Sequence, residues 1–235
     1  MYTARRQFSE AADGSSQLIL QGVVTIAERL TAIGDRIAAA AQRSGRCADD
    51  VTLVAVSKKK PAEAIAEAHA AGQVDFGENY GQELLEKVAG LPAAIRWHHI
   101  GHLQRNKVKG LLPHVALFHG VDNARLIDTL GRCDGAAKVL LQVNVAGEAS
   151  KSGCLPEEVP ALVSRIRATN DIELVGLMTM PPAAGSPRRH FAKLRELAER
   201  HQLTELSMGM SHDFEIAVEE GATIVRVGSA IFGPR

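Results

Sequence analysis

Val51-Thr52-Leu53-Val54-Ala55-Val56-Ser57-Lys58-Lys59-Lys60-Pro61 is the stretch on which the reading of the fold turns. A short, nearly continuous apolar run without polar alternation suits a strand buried on both faces of a parallel sheet. Pro61 then suits a first helical position, where its missing N–H costs nothing, and Gly72 marks the end of the helix it opens. The unit is strand, turn, helix, and three lysines occupy the turn.

Working outward, the same unit recurs. Upstream, Val23, Ala27, Leu30, Ile37 and Ala41 fall at helical spacing and predict a bracing helix that ends near Ser44-Gly45. Downstream, short segments at 74–76, 95–100, 115–119, 139–145, 172–178, 203–207 and 223–227 read as strands. Helices are expected between them: one from about residue 78 carrying Leu84, Leu85 and Val88, one over roughly 102–111, and one capped by Asp122 or Asn123. Pro156 and Pro187 open two more, and another spans about 211–220. Eight strands alternating with helices predict a single (β/α)8 TIM barrel with an extra N-terminal helix; a doubly wound sheet is the alternative. Residues 1–17 read as a flexible tail, and 18–235 as the barrel domain.

Composition narrows the function. The 235 residues carry 27 basic and 27 acidic side chains, a balance that speaks against a general nucleic-acid binder. No apolar run approaches the length of a membrane span. Three widely spaced cysteines, Cys47, Cys133 and Cys154, read as reduced thiols of a cytoplasmic protein without a zinc site. Ala4-Arg5-Arg6-Gln7-Phe8 resembles a twin-arginine signal only superficially, because acidic and polar residues follow where an apolar core belongs.

In such a barrel the chemistry sits at the C-terminal ends of the strands, and phosphate is often held after strands seven and eight. Those loops read Ser207-Met208-Gly209-Met210-Ser211 and Arg226-Val227-Gly228-Ser229. Small residues admit an anion to backbone N–H groups and hydroxyls donate to it, although the same residues also make ordinary turns. Ser211 is expected where the next helix begins. Lys58 leaves strand one, the neighbour of strand eight in a closed barrel. Desolvation and two adjacent cations lower an amine's pKa toward the range where it attacks a carbonyl; the plainer reading is a solvated basic turn. An amine beside a phosphate cradle points to an imine with a phosphorylated aldehyde or ketone. Asn79 follows strand two and either faces such a ligand or caps a helix. Arg226 lies deep enough to need a partner, since an unpaired buried charge is costly. His98, His99 and His102 lack the cysteine or carboxylate company of a metal site, and Gln104-Arg105-Asn106-Lys107 reads as a solvated face.

Several stretches together resemble the pyridoxal phosphate homeostasis proteins, relatives of the barrel domain of alanine racemases. They are Ala55-Val56-Ser57-Lys58 with Lys60-Pro61, Phe76-Gly77-Glu78-Asn79-Tyr80, the run from Trp97 to Lys107, Gly176-Leu177-Met178, Leu206 to Ser211, and Val225 to Gly233. The resemblance implies pyridoxal 5'-phosphate as cofactor, held as a Schiff base (internal aldimine) on Lys58. It implies a phosphate held by Ser211, Gly228 and Ser229, Arg226 facing the pyridine nitrogen, and Asn79 beside the ring. His99, Met178 and Met210 are expected as pocket wall. Three positions depart from the family's habit: His99 stands for a common phenylalanine, Ser229 for threonine, and Lys59 for a smaller or neutral residue.

The racemases take an opposite-face tyrosine from a second, β-rich domain, whereas here the chain ends soon after strand eight and its tyrosines are Tyr2 and Tyr80. The expected role is therefore a cytoplasmic carrier or buffer in vitamin B6 and amino-acid homeostasis, with no catalytic residue assigned. Its partners would be the cofactor and recipient pyridoxal-phosphate-dependent apo-enzymes, its state a monomer or weak dimer. A weak racemase-like enzyme acting at the α-carbon of amino acids and a Schiff-base aldolase-like barrel enzyme are the alternatives.

Overall fold

Eight strands, each too short to bury anything alone, close on one another in the computed structural model, which describes residues 24–148, 150–182 and 185–234. The expected tail at 1–17 lies outside the described residues. The strands are β1 (Thr52–Val56), β2 (Asp75–Glu78), β3 (Arg96–His99), β4 (Val115–Val121), β5 (Ala137–Gln142), β6 (Ile172–Met178), β7 (Glu205–Ser207) and β8 (Ile224–Val227). All neighbours run parallel, and β1 pairs with β8 in register Thr52↔Ile224 and Val54↔Arg226. That last pairing closes the cylinder, so the doubly wound alternative falls and the (β/α)8 barrel stands.

Helix α1 (Ile26–Arg43) precedes the barrel as expected. Thr25 and Glu28 form a reciprocal capping box, each side chain accepting from the other's backbone N–H. The buried face of α1 holds Ile33, Ile37, Ala40 and Ala41. The connecting helices are α2 (Ala62–Ala70), α3 (Gly81–Gly90), α4 (Val108–Leu111), α5 (Ala124–Leu130), α6 (Val159–Arg167), α7 (Arg188–Arg200), α8 (Phe214–Glu219) and α9 (Ser229–Phe232). Arg36 of α1 lies 4.6 Å over the Phe214 ring and pairs with Glu215, tying α1 to α8. Among the described residues no helix is long and apolar enough to cross a membrane.

Several helices begin later than their pattern predicts. Glu78 still belongs to β2, so α3 starts at Gly81; the helix expected over 102–111 shrinks to a 3-10 turn at Arg105–Lys107 followed by α4. Ser211 stands in a turn upstream of Phe214, not at a helix start. The physical reason is shared: residues leaving a barrel strand first turn over its rim before a helix can pack on the outside.

The two-residue period of a strand sorts each side chain to the interior or to the helix layer. Phe76, Phe118, Leu141, Phe191 and Phe214 belong to the large core between barrel wall and helices. Val54, Leu117, Leu140, Met178 and Ile224 form a much smaller cluster inside the barrel.

Candidate functional site

The lysine turn is held from behind. Ser57 is fully buried; its N–H donates to Gly77 O (3.0 Å) and its hydroxyl to Glu78 Oε1 (2.6 Å). Lys87 of α3 donates to Ser57 O (2.9 Å), Glu78 Oε1 (2.6 Å) and Glu83 Oε1 (2.7 Å). Lys59 adopts a left-handed backbone, φ 59°, which swings its N–H onto the same Glu83 carboxylate. Lys58 thus rises between two residues that are each anchored to this ion network. Burial pushes the Glu78 carboxyl above its ordinary range, against the pull of Lys87 and Ser57.

Lys60 is no solvated charge either. Its ammonium donates to Phe232 O (3.1 Å), Gly233 O (3.3 Å) and Pro234 O (3.1 Å), capping the carbonyl end of α9.

Above this turn, at the C-terminal mouth of the barrel, opens a cavity of about 350 Å³. Lys58, Asn79, Ser211, Arg226, Gly228 and Ser229 all line it, as does Met210. The Gly228 N–H donates to Ser211 Oγ (3.3 Å) and the Ser229 hydroxyl to the same oxygen (3.2 Å), so two hydroxyls and a backbone amide converge at one spot. Gly228 also keeps the backbone close to strand one: a Cβ there would stand 3.2 Å from both Val56 Cβ and its carbonyl oxygen. Gly209, at φ +91°, bends the preceding loop, and a side chain there would strike Ala217 and Phe214.

Arg226 is buried at the floor, where NH1 donates to Ser207 Oγ (2.6 Å) and NH2 to Thr179 O (3.0 Å). Burial lowers the guanidinium to about 10, far enough above neutrality to stay charged.

Two expected wall residues do not line this cavity, one for its depth along the strand and the other for the face it takes. Met178 lies in the inner apolar cluster one layer below; Met180, two residues on along the same face, takes the wall position. His99 points outward, beside Phe118 (ring centroids 6.2 Å apart), into a separate groove shared with Tyr80. Burial, with the nearby His102, drops its pKa to about 4, and its Nδ1 has no hydrogen-bond partner among the described residues. Gln142, His102, His212 and Ser152 line the cavity and were not anticipated there. Gln142 was readable: it is the polar member of an apolar strand, on the same face as Leu140 and at the C-terminal end. Among the described residues no group of three or more His, Cys, Asp or Glu side chains is placed to hold a metal ion.

The family model described as "Alanine racemase, N-terminal domain" matches residues 29–235. The chain is 48% identical over 221 residues to the pyridoxal phosphate homeostasis protein of Pseudomonas aeruginosa, covering 90% of this chain and 96% of the relative. It is 42% identical over 222 residues to the protein of that name from Aquifex aeolicus, covering 88% and 97%. Among solved structures, that of PipY from Synechococcus elongatus with pyridoxal phosphate bound superposes with a TM-score of 0.76 at 37% identity, covering 89% of this chain and all of that one.

Proposed function

The chain belongs to the pyridoxal phosphate homeostasis proteins, built on the alanine racemase N-terminal domain, and from that premise we propose that it binds pyridoxal 5'-phosphate at the mouth of its barrel and buffers or delivers it. The observation that carries the reading is the meeting of three chemistries on one cavity: the Lys58 amine, the Ser211–Ser229–Gly228 donor group, and the pinned Arg226 guanidinium. These residues fit the cofactor. Two hydroxyls and an amide suit a phosphate, an amine suits an aldehyde, and a permanently charged donor suits a ring nitrogen.

In this reading Lys58 is the covalent anchor, Ser211, Ser229 and the Gly228 N–H hold the phosphate, and Asn79 stands beside the ring. Arg226 donates to the ring nitrogen and, having no acceptor, does not take up a proton shared there. When bound, the cofactor supplies a reactive aldehyde and an electron sink, and a ring nitrogen facing a donor-only group makes that sink a poor one. The chain's own residues therefore favour carriage over catalysis. We place the activity in the cytoplasm, in a monomer or weak dimer that passes the cofactor to pyridoxal-phosphate-dependent apo-enzymes. A second reading, weak α-carbon chemistry on amino acids, has one observation in its favour: His102 and His212 both line the cavity and are the candidate proton carriers.

Borohydride reduction of the cofactor-loaded protein followed by peptide mass spectrometry tests the anchor. The pyridoxyl mass is expected on Lys58; finding it on Lys59, Lys60 or nowhere defeats the assignment, and a colourless protein that never takes up the cofactor would favour the aldolase-like alternative. Sustained exchange of amino-acid α-protons in deuterated water would overturn carriage.

A further inference from the structure

We propose that Ser207, His119, His98 and Asp75 form a positioning relay through the barrel interior that fixes the orientation of Arg226. The inference rests on the reading that Arg226 faces the cofactor. It concerns groups below the cavity, none of which line it.

The relay is a continuous chain of contacts. Arg226 NH1 stands 2.6 Å from Ser207 Oγ, Ser207 Oγ 2.8 Å from His119 Nδ1, His119 Nε2 2.9 Å from His98 Nδ1, and His98 Nε2 2.9 Å from Asp75 Oδ1. Every member is buried, His119 and Ser207 completely. The chain ends at the other rim of the barrel, where Arg96 grips both Asp75 oxygens (2.8 and 2.6 Å).

One direction satisfies every group. A guanidinium only donates, so Ser207 Oγ accepts from Arg226 and must send its own hydrogen onward to His119 Nδ1. That nitrogen is therefore bare, and His119 carries its proton on Nε2, which donates to His98 Nδ1. His98 repeats the pattern, with Nε2–H donating to the Asp75 carboxylate. The chain starts at a cation, ends at an anion and has one hydrogen per link. Reversing it would require His98 as an imidazolium and leave the Ser207 hydroxyl buried without an acceptor, a costly arrangement.

The surrounding charges agree with the forward direction. Burial, then the proximity of His98, Arg226 and His99, hold His119 far below the ordinary imidazole range and therefore neutral. Burial alone would raise the Asp75 carboxyl, but hydrogen bonds from His98 and Arg96 outweigh it and keep the acceptor end ionised. With NH1 locked on Ser207 and NH2 on Thr179 O, the guanidinium plane cannot rotate, and it meets the cavity at a fixed angle.

The test begins on the full-length, ligand-free protein labelled with 15N-histidine. Long-range 1H–15N correlations near pH 7 should show His98 and His119, assigned by single substitutions, both as the neutral Nε2–H tautomer. An imidazolium or an Nδ1–H tautomer at either ring overturns the relay. Ser207→Ala removes the donor to His119 and should shift the signals of both rings together; an unmoved His98 would also overturn it. Pyridoxal phosphate titrations then compare His119→Asn, whose amide oxygen can stand in for Nδ1 as acceptor, with His119→Leu, which has none. The leucine variant is expected to bind roughly tenfold more weakly, the loss of about one hydrogen bond, and the asparagine variant within about threefold of the parent. Equal affinities in two folded variants would refute the positioning role. Failure of the parent to bind the cofactor would instead defeat the functional reading and leave the tautomer result standing.

Discussion

Substituting Lys87 by methionine is the sharpest probe of how the lysine turn is held. The change keeps the length and apolar stem of the side chain but deletes an ammonium that bridges Ser57 O, Glu78 Oε1 and Glu83 Oε1. Glu78 is fully buried and Lys87 nearly so, so solvent screens the pair little. Breaking such a pair by removing one partner costs about 3–5 kcal/mol, chiefly because the other charge is left buried and alone. Urea unfolding at pH 7 should report a loss of that size.

The deficit should also depend on pH. Burial already raises the Glu78 carboxyl, and without Lys87 it rises further. The native state then holds a proton that the unfolded chain releases near its ordinary value. Stability of the variant therefore falls as pH rises above that value and recovers as pH falls toward it. Adding Glu78→Gln removes the stranded charge, and the double variant should regain more than half of the loss at pH 7. A Lys87→Met cost below about 1 kcal/mol, or strict additivity of the two changes, would refute the reasoning, because coupled neighbours do not add. In the damaged variant, looser binding of Ser57 and Lys59 should also slow cofactor capture at Lys58.

Two further outcomes follow from other contacts. His99 is neutral when folded, with a pKa near 4, whereas the unfolded residue titrates near its ordinary 6.5, so the unfolded state binds the extra proton between those values. Stability therefore falls as pH drops from 6.5 to 4 by about 3 kcal/mol from this group, and His99→Phe should flatten that part of the curve in thermal unfolding between pH 4 and 7. Lys60→Met releases three carbonyls at the end of α9 and should cost about 1–2 kcal/mol, a Tm lowered by roughly 2–8 °C in calorimetry; an unchanged Tm would mean that the contacts carry no net stability.

Strands such as β1, β4, β5 and β6 are legible as short, largely apolar runs, the shorter and more polar β2, β3 and β7 by their place in the alternation with helices, and β1 through β8 fall within a few residues of their expected places. Lys58, Ser211, Arg226, Gly228 and Ser229 were legible as a group, because a closed barrel makes its first and last strands neighbours. Face and depth were harder to read than the strands themselves. His99 is one residue off and so on the opposite face, Ile100 lining the cavity in its place, whereas Met178 is on the right face but one layer too deep, where Met180 takes the wall. The ion network of Lys87 was hidden for another reason: Ser57, Glu78 and Lys87 lie on separate elements, and an α3 lysine reads as solvated until its helix is docked. The column of His98, His119 and Ser207 brings β3, β4 and β7 together through the interior of the closed barrel, which no local pattern encodes.

The barrel interior has a consequence for evolvability. A cylinder of this size is commonly filled with layers of branched apolar side chains. Here four such residues and Met178 form the inner cluster, and a chain of two histidines, a serine, an aspartate and an arginine runs through the interior beside it. Repacking that chain with leucine and valine of matched volume is a direct route to a more heat-resistant protein, because buried polar chains often lose to well-packed hydrocarbon. Such a variant would keep its helices, its closed sheet and its lysine, yet hold no oriented guanidinium at the mouth. Selection for thermal resistance alone would erode this site from beneath before it touched any residue on the rim.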